Sequence, residues 1–147
     1  MKTLPILWKR LVNEGETCDR CGSTQRNVAS AVAKLEAALQ PLGIQTLLET
    51  QAIDDATFRA DPSESNRIWI AGKPLEEWLG ASVGASACCS VCGDLPCRTV
   101  EVDGATFEAI PEDLIVRAAM IAASAMVGPG SSPAASAACC TSGCKCD

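Results

Sequence analysis

A chain of 147 residues has room for one domain with a real core, and 48% apolar against 20% charged residues marks a sequence that folds. Its net charge of −6 excludes nucleic-acid binding driven by phosphate contacts, because no large basic surface can be assembled from it. Histidine and tyrosine are both absent, which removes Ser-His-Asp and Cys-His catalysis, mixed Cys/His zinc fingers and His-based metal centres; chemistry must run through thiolates, carboxylates, Lys, Arg or a cofactor.

In chain order, "MKTLPILWKRLVNEGE" has only a brief apolar stretch before Lys9 and Arg10 and no small-residue cleavage site, so it does not read as a signal peptide. Residues 3–12 within it read as a strand stopped by Asn13-Glu14-Gly15. From Cys21 the pattern turns helical: Val28, Val32, Leu35, Leu39 and Leu42 form one apolar face, ended by Pro41 and Gly43. "GIQTLLETQAI" is a second strand, and the three elements form a β-α-β unit with parallel strands.

A polar stretch, "DDATFRADPSESN", carries a short helix, and "RIWIAG" is a strand closed by Gly72. "KPLEEWLGA" reads as a helix with Pro74 at its first position and Glu76 and Glu77 as a solvated acidic start. Trp69 and Trp78 read as core or interface residues. "ACCSVCGDLPCR" is expected to be a loop, and "RTVEVDGATFEAI" a hairpin turning at Asp103-Gly104. "PEDLIVRAAMIAASAMV" is the final helix; broken by Arg117 and rich in alanine, it is no membrane span. "GPGSSPAASAA" then leads to "CCTSGCKCD", so the expected organisation is a domain at 1–127 and a flexible Cys-rich tail at 128–147. The chain is expected to be cytosolic, with neither a nucleic-acid nor a membrane partner.

Ten cysteines in a reducing compartment are expected to be ligands or redox thiols; a small secreted disulfide domain is the alternative. Cys18 and Cys21 are two residues apart at a helix start, where free N–H groups and the helix dipole stabilise a thiolate, with Arg20 and Arg26 adding positive potential. They suit a redox couple, with Cys18 as nucleophile and Cys21 as resolving thiol, or a pair of metal ligands. Cys88, Cys89, Cys92 and Cys97 form the second group. Cys89-Ser90-Val91-Cys92 has the spacing of a zinc knuckle with Gly93 for its turn, although a disulfide is the alternative. Either Cys18 and Cys21 join Cys89 and Cys92 in one four-thiolate centre, or Cys88, Cys89, Cys92 and Cys97 form a local one and leave the first pair free for redox work. Cys139, Cys140, Cys144 and Cys146 resemble metallothionein and metal-transfer sequences.

All-sulfur ligation selects zinc as the default ion, with copper(I), mercury, trivalent arsenic and iron–sulfur clusters as alternatives, and excludes calcium and magnesium. Three functions follow: binding or transfer of a soft metal or metalloid ion, thiol–disulfide oxidoreduction or oxyanion reduction through Cys18 and Cys21, and electron transfer by a cluster. Whether the chain is an enzyme stays open between them. Beyond the ion, the partner would be a redox or metal-transfer protein.

Periodicity alone reaches an α/β fold with one mixed sheet. The order β-α-β, short helix, β-β-α resembles the thioredoxin fold, which keeps its active cysteine pair between the first strand and first helix. Through "ETCDRCGST", "SNRIWIAGKPLEEWLG" and "CCSVCGDLPCRTVEVDG" the chain also resembles an uncharacterised bacterial thioredoxin-like family, a domain of unknown function, over nearly all of residues 1–120. The resemblance implies a fold and no particular activity. In one respect the chain departs from ordinary thioredoxins: no cis-proline stands before the third strand, since Pro62 comes several residues too early.

Overall fold

The computed structural model describes residues 2–12, 19–86 and 97–127. The cysteine loop apart from its C-terminal end, the N-terminal member of the first cysteine pair and the predicted tail at 128–147 lie outside them.

Strand β1 (Lys2–Leu11) alternates as its sequence requires, with Leu4, Ile6 and Trp8 buried on one face. Helix α1 (Asp19–Leu39) buries Cys21, Thr24, Val28, Ala31, Leu35 and Leu39, steps of three and four that keep one stripe on the core. Leu42 was expected to extend that stripe, but it is 55% exposed. The helix stops at Leu39, Pro41 enters a 3-10 turn over Gln40–Leu42, and the tighter winding turns Leu42 away from the core. Gly43, with φ 71°, closes the turn by donating its N–H to the Gln40 carbonyl.

Strand β2 (Ile44–Ile53) runs parallel to β1 over its full length, from Lys2 beside Ile44 to Leu11 beside Ile53. Helix α2 (Asp55–Ala60) follows, capped by the Asp54 carboxylate accepting from the Thr57 N–H and anchored by the buried Phe58. Strand β3 (Arg67–Ile70) returns antiparallel on the other side of β1, and β4 (Lys73–Pro74) pairs antiparallel with β3. The turn between them, Ala71-Gly72, has φ of 51° and 78°, the double positive of a type I′ hairpin. Pro74 therefore belongs to a strand and directly precedes helix α3 (Leu75–Leu79) rather than opening it. The first sheet has the order β2-β1-β3-β4.

A second sheet corrects the expectation of a single one. Strands β5 (Ser82–Ser86), β6 (Cys97–Val102) and β7 (Ala105–Phe107) form an antiparallel meander in the order β5-β6-β7. The hairpin at Asp103-Gly104 is present, with Val102 beside Ala105, but it belongs to this sheet. The four-stranded sheet is completed instead by the hairpin at Ala71-Gly72. The last two residues of the expected cysteine loop are in a strand, because Cys97 and Arg98 pair with Ser86 and Ala85; residues 87–96 lie outside the described residues.

Helix α4 (Glu112–Val127) buries Leu114, Ile115 and four alanines, which let it approach α1 closely while touching β1 and β3. Helices α1 and α4 thus cover the sheet face carrying Leu4, Ile6, Trp8, Ile68 and Ile70. No helix among the described residues is long and apolar enough to cross a membrane.

Candidate thiol site

Cys21 lies in the first turn of α1 and heads the buried stripe of that helix. It is 1% exposed, and its sulfur is 3.8 Å from the hydroxyl oxygen of Ser65, itself fully buried. Ser65 and Asn66 occupy the turn immediately before β3, and every described peptide bond is trans. Arg26 donates to the Ser23 hydroxyl at 3.1 Å and so stays beside the same helix start.

A polar chain runs from Ser65 toward the end of the β5–β6 ladder where Ser86 pairs with Cys97. Asn66 sits at φ 60°, a conformation Asn tolerates. It accepts from the Trp8 indole N–H at 3.2 Å and donates to the Glu108 carbonyl at 3.3 Å. The Glu108 carboxylate accepts from the Ser86 hydroxyl at 3.3 Å, and Ser86 is the last residue of β5. Two residues on, Ile110 is held from α1: its N–H donates to the Thr24 hydroxyl at 3.1 Å, and its carbonyl accepts from Asn27 at 2.8 Å.

The other strand of the hairpin is held by charge. Arg98 is 5% exposed; it donates to the Ser63 carbonyl at 3.1 Å and forms a close ion pair with Glu76, which is 8% exposed. The sequence predicts a solvated helix start at both acids; Glu77 is exposed, but Glu76 is buried against Arg98. Arg67 reaches Glu76 at 3.9 Å and Glu64 at 2.7 Å, and Glu64 also binds Lys9 at 3.0 Å. Burial works to raise the Glu64 carboxyl, but the hydrogen bonds and charges of Lys9 and Arg67 outweigh it and hold the group below its ordinary value. Asp61 is also held low, chiefly by the hydrogen bond from the Ser63 hydroxyl.

Trp69 is half-buried under the Arg67 guanidinium, 4.3 Å from the ring centre. Trp78 is half-buried too, with its N–H on the Ile70 carbonyl at 2.7 Å. Both act as packing residues here.

The structure therefore brings the Cys21 end of α1 and the stem of the β5–β6 hairpin onto one short stretch, residues 63–66. Cys97 opens β6 opposite Ser86, and the hairpin connection at 87–96 contains Cys88, Cys89 and Cys92. Cys18, Cys88, Cys89 and Cys92, and likewise Cys139, Cys140, Cys144 and Cys146, lie outside the described residues, as does the side chain of Cys97. Among the described residues no three Cys, Asp or Glu side chains gather as a metal site.

Sequence reasoning missed Ser65, Asn66, Glu76 and Arg98. A signal for Arg98 was present: in "CRTVEV" it shares the period-two face of Val100 and Val102, both buried.

Residues 4–119 match the family described as Domain of unknown function (DUF2703). The chain belongs to the DUF2703 family. An uncharacterised protein of Archaeoglobus fulgidus is 42% identical over 112 residues, covering 76% of this chain and 82% of the relative. No solved structure matches. The DUF2703 match runs from β1 into α4 and contains Cys18, Cys21, Cys88, Cys89, Cys92 and Cys97; Cys139, Cys140, Cys144 and Cys146 lie beyond it.

Proposed function

We propose that this chain is a thioredoxin-like domain that binds or transfers a soft metal or metalloid ion through cysteine thiolates. The observation that carries the reading is the double anchorage at residues 63–66. The Ser65 hydroxyl meets Cys21, and Arg98, next to Cys97, binds the Ser63 carbonyl. Cys21 and the backbone beside Cys97, far apart in sequence, thereby meet the same short segment, which supports a shared site without placing the other thiols.

The donor set fits such an ion. With no histidine in the chain, Cys18, Cys21, Cys88, Cys89, Cys92 and Cys97 offer sulfur alone, which selects zinc, copper(I), mercury or trivalent arsenic. Bound there, the ion would be held or passed on as cargo, with Cys139, Cys140, Cys144 and Cys146 as further thiolates for exchange. The thioredoxin-like reading is supported by the strand order β2-β1-β3-β4, by β1 parallel to β2 and antiparallel to β3, and by the thiol in the first turn of α1.

The test is elemental analysis and an absorbance scan on protein purified without oxygen, repeated on Cys18→Ser/Cys21→Ser and Cys89→Ser/Cys92→Ser. A shared site predicts one ion lost in either double variant. If fully reduced wild-type protein takes up neither zinc, copper(I) nor trivalent arsenic, the reading fails. Visible absorbance from sulfide-bridged iron would move the chain to the electron-carrier class.

A second reading, a thiol–disulfide oxidoreductase, is favoured by the burial of Cys21 in the first turn of α1, where a resolving thiol would sit behind Cys18. It predicts turnover of a disulfide substrate that Cys18→Ser abolishes, with no bound ion required.

A further inference from the structure

Strand β2 is an outer strand of the four-stranded sheet, and its ten residues follow β1 without a bulge. No strand among the described residues pairs with its outer edge. The opposite edge of the sheet is protected by brevity, since β4 is two residues long and ends at Pro74. Edge strands are ordinarily blunted by such shortness, by Lys or Pro, or by bulges. In "IQTLLETQAI" none of these occurs, and Glu49 is the lone charge.

Two further observations lie along that edge. Leu47 is 54% exposed on the sheet face away from the helices, and Leu48 is half-buried on the helix side. Between α1 and the edge lies a cavity of about 370 Å³ lined by Glu36, Gln40, Ile44, Gln45 and Thr46. Thr46 is 4% exposed, and its hydroxyl is buried without a hydrogen-bond partner among the described residues. An orphaned buried hydroxyl beside an unpaired edge calls for a partner beyond the described residues.

We propose that the partner is a second copy of this chain, whose β2 pairs antiparallel with the first across a two-fold axis at Leu48 and continues the sheet. The register follows from chemistry. Residues facing each other across antiparallel strands share a sheet face, so the axis must pass through a residue. With the axis at Leu48, Thr46 meets Thr50 of the second copy and its hydroxyl gains a partner, Leu48 meets Leu48, and Gln45 meets Gln51 amide to amide. Leu47 then lies opposite Glu49, and no two acids face each other. An axis at Glu49 would oppose Glu49 to itself, and one at Leu47 would leave the Thr46 hydroxyl facing Leu48. For a chain of net charge −6, a seam with a single acid per strand is the kind of surface two copies can share. Such a pair is isologous and closes as a dimer.

The test is sedimentation of the full chain over a concentration series into the high micromolar range. Reductant and chelator are present, so that neither a cross-link nor a shared ion can hold two copies together. Wild type is expected to be a dimer. Leu47→Glu opposes Glu49 of the second copy twice per dimer and should raise the dissociation constant by about tenfold. Leu47→Lys places a cation there instead and should lower it. Leu47→Glu/Glu49→Lys restores opposite charges and should recover the dimer. Position 47 is half-exposed, and circular dichroism checks that each variant is folded. A monomeric wild type overturns the proposal. So does a dimer indifferent to Leu47→Glu, weakening by Leu47→Lys, or failure of the double variant to recover.

Discussion

Replacing Arg98 by Ala should be among the most damaging single changes in the described part of the chain. The guanidinium side chain is 3% exposed and faces a Glu76 side chain that is 11% exposed. Truncating one partner of a buried ion pair costs about 3–5 kcal/mol, because the remaining charge is left without a counter-ion in a poorly solvated place. Here Arg67 remains 3.9 Å from the same carboxylate oxygen and shields part of the stranded charge. The lost hydrogen bond to the Ser63 carbonyl adds about 1 kcal/mol back. The shielding and the lost hydrogen bond roughly offset one another, so the expected loss stays at about 3–5 kcal/mol, a fall in Tm on the order of 15 °C for a domain of this size. Urea denaturation of reduced, chelated protein measures it. Adding Glu76→Gln to Arg98→Ala removes the stranded charge, so the double variant should be more stable than the sum of the singles predicts, by about 1–3 kcal/mol. A loss below about 1 kcal/mol, or simple additivity, would refute the argument that this pair holds the hairpin to the sheet.

Three other outcomes follow from separate features. Because the Glu64 carboxyl is held below its ordinary value of 4.5, its stabilising contribution is complete above that pH and disappears as pH falls through the folded value. Glu64→Gln should therefore lower the urea midpoint at pH 7 and converge with wild type in acid; an equal gap at both pH values would contradict this. At Gly84 a Cβ would stand 2.8 Å from the Thr99 hydroxyl oxygen across the β5–β6 ladder, and Thr99 is itself buried. Gly84→Ala should cost about 1–3 kcal/mol by overpacking, with partial recovery when Thr99→Ala is added; a neutral single variant would show that the ladder yields. Phe58 is the lone buried residue of α2 and is fully buried, so Phe58→Ala should cost about 3–5 kcal/mol in calorimetry, and a change near zero would mean that α2 is dispensable.

The β1–α1–β2 unit was legible because two periodicities run long enough to be unambiguous: alternation at Leu4, Ile6 and Trp8, and the three-four steps from Cys21 to Leu39. The turn at Asp103-Gly104 was legible from its residue types. Its twin at Ala71-Gly72 was not, since Ala carries no preference for positive φ and Pro74 mimics a helix start. Strand β5 escaped because "SVGAS" is short, small and almost wholly exposed, and its pairing with β6 supplies what its propensity lacks. The Glu76–Arg98 pair joins residues 22 apart in sequence, and an acid in a first helical turn is adequately explained by the dipole, so nothing local betrays a buried partner. At the candidate site, the cysteines could be named from spacing, but Ser65 becomes a neighbour of Cys21 only through tertiary packing.

The two sheets are assembled over very different spans of chain. In the first, β1 must find β2 and β3 far along the sequence, whereas β5, β6 and β7 are consecutive and each pairs with its sequence neighbour, across residues 87–96 and across the turn at Asp103-Gly104. Loop-closure entropy therefore weighs mainly on the first sheet, and the expectation is that the meander opens ahead of it despite its anchors at Arg98, Val100 and Val102. Amide exchange should then be faster across Arg98–Phe107 than across Leu4–Leu11, and the amplitude of that opening sets how readily the hairpin that carries the cysteines breathes while the remainder of the domain stays folded.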